Sequence, residues 1–146
     1  MKIGYVQNSP VFGEKEKNFK QVRKLIAGTK ADLLVLPELF ATGYAFTSKN
    51  EVSALAEPVK GSGAQTAVFL KEISSKTGAA VVAGFIEKEN GKKYNSSMLV
   101  YKNNVVGVYR KLHLFNKEKL WFTPGNKKLR VYNVNGAKIG LMVCFD

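Results

Sequence analysis

The stretch Asp32-Leu33-Leu34-Val35-Leu36-Pro37-Glu38-Leu39-Phe40 decides how this chain is read. An unbroken apolar run over 32–36 is the signature of a short strand buried on both faces, as in a parallel sheet covered by helices. Pro37 cannot donate to a sheet ladder and ends the strand. Glu38 then stands between large apolar residues directly past the strand end.

Working outward, residues 2–7 read as a first strand. Residues 14–28 follow as a helix, with Phe19, Val22 and Ile26 at helical spacing and Gly28 placed to stop it. Residues 40–60 are mixed, with a short helix near 51–56. A second amphipathic helix over 63–76 carries Phe69 and Ile73 inward and closes at Gly78. A buried strand over 79–86 leads through Asn90-Gly91, a strong hairpin signal, into 94–101. Asn103-Asn104 gives a second turn into 105–110. Beyond a loop rich in charges and aromatics lie strands at 129–134 and 138–143, joined at Asn135-Gly136. Strand–helix–strand followed by a meander specifies an α/β layered sheet with helices on one face. The last strand is apolar throughout and predicts neighbours on both sides and both faces.

Length and composition narrow the functional classes. The 146 residues suit one domain, 1–146, and 45% of them are hydrophobic, a globular composition. The formal charge of +12 invites a nucleic-acid or acidic partner, but only three of the 23 basic residues are arginine (Arg23, Arg110 and Arg130). The lysines are scattered, and the densest cluster is interleaved with Glu14 and Glu16, which reads as a solvated helix face. No nucleic-acid partner is therefore expected. A non-catalytic basic binding or scaffold module is the reading from another functional class. No apolar run approaches the roughly 20 residues of a membrane span. The Met1-Lys2-Ile3-Gly4-Tyr5 start has no signal-peptide pattern, so no membrane association and a cytoplasmic location are expected. A single cysteine allows no intrachain disulfide and argues against a cysteine-based metal site.

Three segments place a reactive side chain just past a hydrophobic strand, where active sites of layered α/β folds gather. Glu38 is either a turn glutamate at the surface or a partly desolvated carboxylate, and hence a good proton acceptor. In Tyr109-Arg110-Lys111-Leu112-His113-Leu114-Phe115, Lys111 is either an exposed strand-end lysine or a fixed cation facing a developing oxyanion. His113, the one histidine, is a candidate thiol base or a structural residue. In Ile139-Gly140-Leu141-Met142-Val143-Cys144-Phe145-Asp146, Cys144 either finishes a core strand or emerges as a nucleophile on a tight turn.

The three segments together, in this order, resemble the nitrilase superfamily of carbon–nitrogen hydrolases. Leu36-Pro37-Glu38, Tyr109-Arg110-Lys111-Leu112-His113 and Cys144-Phe145-Asp146 carry the likeness, with support from Tyr94-Asn95-Ser96 and Phe122-Thr123-Pro124-Gly125. The resemblance implies a Glu–Lys–Cys triad with Glu38 as general base, Lys111 as oxyanion stabiliser and Cys144 as nucleophile. It implies a second glutamate, Glu118, that positions substrate and supports the lysine. Tyr44, Trp121, His113 and Phe145 are candidate pocket residues, and the Phe145 N–H is a candidate oxyanion donor. No metal or organic cofactor is needed for thioester chemistry on a small aliphatic amide or nitrile. N-carbamoyl amine hydrolysis is the alternative within the family. The resemblance further implies an αββα sandwich, of which 1–146 is the N-terminal half, incomplete at the C-terminus, and a homodimer or higher homo-oligomer when full length. The 146-residue chain alone is expected to be inactive and poorly folded unless a second chain supplies the other half.

Overall fold

The computed structural model describes residues 1–146. Eleven elements follow in chain order: β1 (Ile3–Tyr5), α1 (Lys15–Leu25), β2 (Leu33–Val35), α2 (Lys49–Leu55), α3 (Gln65–Thr77), β3 (Ala80–Glu89), β4 (Lys92–Tyr101), β5 (Asn104–Arg110), α4 (Glu118–Trp121), β6 (Val131–Val134) and β7 (Ala137–Gly140). The first five strands form one sheet in the order β1-β2-β3-β4-β5, and β6 and β7 form a two-stranded second sheet. β1, β2 and β3 run parallel, which the helical crossovers between them require, while β3, β4 and β5 are an antiparallel meander.

Each face of the five-stranded sheet has its own cover. On one face, Leu34, Val81, Ala83, Phe85, Met98 and Val100 pack against Phe19, Val22 and Ile26 from the α1 region and Phe69, Leu70 and Ile73 of α3. Phe19 and Phe69 stack with centroids 4.2 Å apart. On the other face, Leu33, Ala80, Leu99 and Tyr109 meet Val134, Ile139, Leu141 and Val143 from the second sheet. The result is an α–β–β layering, as expected for half of an αββα sandwich. Close inter-sheet contact is visible at Gly107, where a β-carbon would clash with the hydroxyl end of the Tyr132 ring.

Helix and turn chemistry follow the sequence. Gly78 ends α3 in the left-handed conformation at φ 73° and donates its N–H to the Ser74 carbonyl. Ser48 and Glu51 form a reciprocal capping box on α2. The second hairpin differs from expectation. Its loop is Lys102-Asn103, because Asn104 already pairs with Tyr101, and Lys102 takes the positive φ of 53°.

The last strand is the main correction. β7 ends at Gly140 and pairs only with β6. Leu141 and Val143 are buried against the first sheet, but Met142 between them is 68% exposed. The apolar run alternates between one covered face and one open face, and an unbroken apolar sequence does not distinguish that from burial on both. The strand expected over 129–134 likewise starts only at Val131, and Leu129 and Val131 lie at the surface.

Candidate active site

The ends of β2 and β5 and the turn after β7 bring Glu38, Lys111 and Cys144 to one place. Glu38 follows β2 on a loop fixed by its neighbours. The Gly84 N–H donates to the Pro37 carbonyl, and Leu39 is left-handed at φ 50°. Buried Asn18 donates from Nδ2 to the Ala41 carbonyl at 2.8 Å, tying the loop to α1. Lys111 follows β5 and is bracketed by backbone bonds, its N–H donating to the Asn95 carbonyl and its carbonyl accepting from Gly125. Next to it, buried Arg110 is paired with Glu87 and Glu89 and lies 3.8 Å from the Tyr94 ring centroid.

The Lys111 side chain is fully buried and clamped between two carboxylates. Its Nζ lies 2.9 Å from Glu38 Oε1 and 2.9 Å from Glu118 Oε2. Burial alone would push the ammonium pKa down, and the hydrogen bonds to Glu38 and Glu118 outweigh it and hold it above the usual lysine value. Glu118, at the start of α4, is pushed up by burial. Its bonds to the Phe115 N–H, Lys111 and Tyr44 reverse that and leave it below the ordinary carboxylate value. Asn95 completes the cluster, with Nδ2 donating to Glu38 Oε1 at 2.6 Å and to Glu118 Oε1 at 2.9 Å. One ammonium and one neutral amide thus bridge two carboxylates that would otherwise repel.

Cys144 sits on the turn after β7 with a left-handed φ of 44°, a conformation that non-glycine residues rarely adopt. Burial and then the Glu38 carboxylate raise its thiol pKa, while Lys111 lowers it, for a net upward shift. The resting nucleophile candidate is therefore a thiol, and a base beside it has a proton to remove. Both Asn95 and Lys111 bind Glu38 through Oε1, so Oε2 is engaged by neither.

A cavity of about 230 Å³ opens beside Glu118, lined by Tyr44, Phe46, Phe115, Trp121 and Phe122 among others. Tyr44 and Trp121, both pocket candidates from the sequence, are among its lining residues. Phe145 is exposed and packs on Phe115 at the cavity rim, with centroids 5.3 Å apart. His113 does not reach the cavity. Its ring Nδ1 lies 3.0 Å from Asp146 Oδ1 and the side chain is exposed. No group of three or more His, Cys, Asp or Glu side chains is arranged to hold a metal ion.

Two contributors escaped the sequence reading. Asn95 lies within Tyr94-Asn95-Ser96 and Asp146 within Cys144-Phe145-Asp146, so both motifs were visible, but no spacing rule announces which carboxylates an amide on β4 will bridge.

The α–β–β layering thus gathers Glu38, Lys111 and Cys144 at the ends of strands from both sheets. Comparison with known proteins gives the family. The profile of the carbon-nitrogen hydrolase family matches residues 2–146, and the chain belongs to that family. A nitrilase of Pyrococcus abyssi is 40% identical over the whole chain, which covers 56% of that protein. An (R)-stereoselective amidase of a Pseudomonas species is 35% identical, again over the whole chain and 52% of the relative. A carbon-nitrogen hydrolase from Helicobacter pylori G27 superposes with a TM-score of 0.86 at 28% identity, covering 99% of this chain and 51% of that one. The chain thus spans about half the length of these relatives. No helix is long and apolar enough to cross a membrane.

Proposed function

We propose that the protein hydrolyses the carbon–nitrogen bond of a small amide or nitrile, with Cys144 as nucleophile, Glu38 as general base, Lys111 as oxyanion stabiliser and Glu118 as the residue that supports Lys111. The observation that carries this reading is the buried Lys111 ammonium clamped by Glu38 and Glu118 beside Cys144. Glu38 takes the thiol proton as sulfur attacks the substrate carbon. The tetrahedral oxyanion develops against Lys111, a donor worth roughly 3–4 kcal/mol in comparable sites. For an amide, the proton returns to the departing nitrogen, ammonia or an amine leaves, and a thioester remains. Glu38 then draws a proton from water, which attacks the thioester and releases the acid and the thiol. The aromatic walls of the adjoining cavity favour an uncharged substrate tail.

The reading applies to the whole protein, in which residues 1–146 supply the catalytic side chains as the N-terminal half of an αββα domain. It includes a cytoplasmic homo-oligomer, dimer or larger, to be measured by light scattering.

The full-length protein, incubated with short aliphatic amides and nitriles, is expected to release ammonia and to give an acyl adduct on Cys144 by mass spectrometry. Adding hydroxylamine should divert the thioester to a hydroxamate. Carbon dioxide released from N-carbamoyl amines, with no turnover of simple amides, would select the alternative substrate class. Absence of any adduct across all three classes would overturn the reading.

A further inference from the structure

Asp146 is two residues past Cys144 and its side chain is only 3% exposed. A buried carboxylate needs partners, and this one has five. Oδ1 accepts from the Leu112 N–H at 3.2 Å and the His113 N–H at 2.9 Å, and lies 3.0 Å from His113 Nδ1. Oδ2 accepts from the Tyr109 hydroxyl at 2.8 Å and from the Val143 N–H at 3.2 Å. Tyr109 in turn accepts the Leu112 N–H at 3.3 Å, closing a ring of hydrogen bonds.

The topology of this knot is specific. Tyr109, Leu112 and His113 flank Lys111 on both sides, and Val143 and Asp146 flank Cys144 on both sides. One carboxylate therefore fastens the two segments that carry the candidate oxyanion donor and the candidate nucleophile. No strand pairing does this, because β5 and β7 belong to different sheets. Burial would raise the Asp146 pKa, and the His113 N–H and Tyr109 hydroxyl outweigh it, so the group stays an anion that only accepts hydrogen bonds.

We propose that Asp146 is a positioning residue that sets the Cys144 sulfur relative to Lys111 and Glu38. The proposal rests on the assignment of Cys144 as nucleophile, and it gives Tyr109, His113 and Asp146 a role although none of them lines the adjoining cavity.

The test uses the full-length protein and two independent readouts: steady-state hydrolysis, and the pH profile of Cys144 alkylation by iodoacetamide without substrate. Displacing a reacting group by about 1 Å costs on the order of 100-fold, so Asp146→Ala should lower kcat by about that factor while KM stays within about 3-fold. The alkylation midpoint should fall toward the ordinary cysteine value as the thiol leaves Glu38. Asp146→Asn, which keeps acceptors for the Leu112 and His113 N–H groups, should recover part of the lost kcat. A loss of activity that only tracks the unfolded fraction, with an unmoved alkylation profile, would assign Asp146 a purely structural role and overturn the proposal. Should Asp146→Ala fail to fold, Tyr109→Phe removes a single bond of the knot. It should shift the profile in the same direction, and an unmoved profile there overturns the proposal equally. If the parent hydrolyses nothing, the functional reading fails, yet the alkylation profile still decides the role of Asp146.

Discussion

Gly84 lies directly beneath Glu38: a β-carbon on Gly84 would sit 2.7 Å from the Glu38 Cα and 2.6 Å from the Leu39 nitrogen. Both contacts are backbone atoms and cannot rotate away. The glycine in the middle of β3 is therefore what lets the loop after β2 fold across the sheet and aim the carboxylate at Lys111.

Gly84→Ala should consequently harm catalysis more than stability. Forcing a methyl into this contact costs about 1–3 kcal/mol by overpacking. The loop must move, and a shift of about 1 Å in a reacting group is worth on the order of 100-fold in rate. Urea denaturation and kcat on the best amide substrate check both. Unchanged kcat in a folded variant would mean that the loop position is not set by Gly84.

Glu38→Gln separates the base from its electrostatic effect. The Glu38 charge raises the Cys144 thiol pKa, and Lys111 lowers it. Burial and Glu118 still raise the thiol pKa in the variant, but the Glu38 contribution is gone, so the thiolate fraction at neutral pH rises. Hydrolysis should fall by about 100- to 10,000-fold through loss of the proposed general base. Iodoacetamide labelling of Cys144 at the same pH should become faster. Labelling that slows in parallel with hydrolysis would contradict the assigned electrostatics.

How much of this was legible in the sequence depends on the range of the interaction. Strand ends at Pro37 and Arg110, the Asn90-Gly91 hairpin and the Gly78 cap are local, written in turn chemistry and periodicity. The convergence of Glu38, Lys111 and Cys144 is not local, and only the order of the three motifs pointed to it. The Asn90-Gly91 turn fixes the register of β4 against β3, but the bridging role of Asn95 depends on where the Glu38 loop and α4 lie over β4, which no local pattern reports. The apolar run 138–143 misled for a related reason: whether its second face is covered depends on what packs there, not on its own composition.

Tyr109 gives an alkaline signature. Burial, and then the hydrogen bond to Asp146, raise its hydroxyl pKa to about 12. In the unfolded chain the group ionises near ~10. The fold favours the neutral phenol, so its contribution is complete below about pH 10 and is lost as pH rises toward 12. Tyr109→Phe should be less stable than the parent near pH 8 and show a shallower loss between those limits. Guanidinium titrations at several pH values would reveal it; parallel curves for the two proteins would rule it out.

Lys111→Met removes the cation but nearly preserves side-chain volume, and its effect on stability should itself depend on pH. In the parent, Lys111 is one of the groups that hold Glu118 below the ordinary carboxylate value, so the ionised pair contributes stability at neutral pH. Without Lys111, a buried carboxylate loses its counter-charge, a change that typically costs about 3–5 kcal/mol. Glu118 can escape that cost by taking up a proton, which becomes easier as pH falls toward the unfolded value near ~4.3. The deficit of the variant should therefore be largest near pH 8 and shrink by pH 5. Hydrolysis should fall by on the order of 100- to 1,000-fold at both, because the proposed oxyanion donor is gone. Denaturation measured at the two pH values decides the matter. A deficit of equal size at both would mean that Glu118 is not the carboxylate left stranded, and that Asn95, Tyr44 and the Phe115 N–H satisfy it without Lys111.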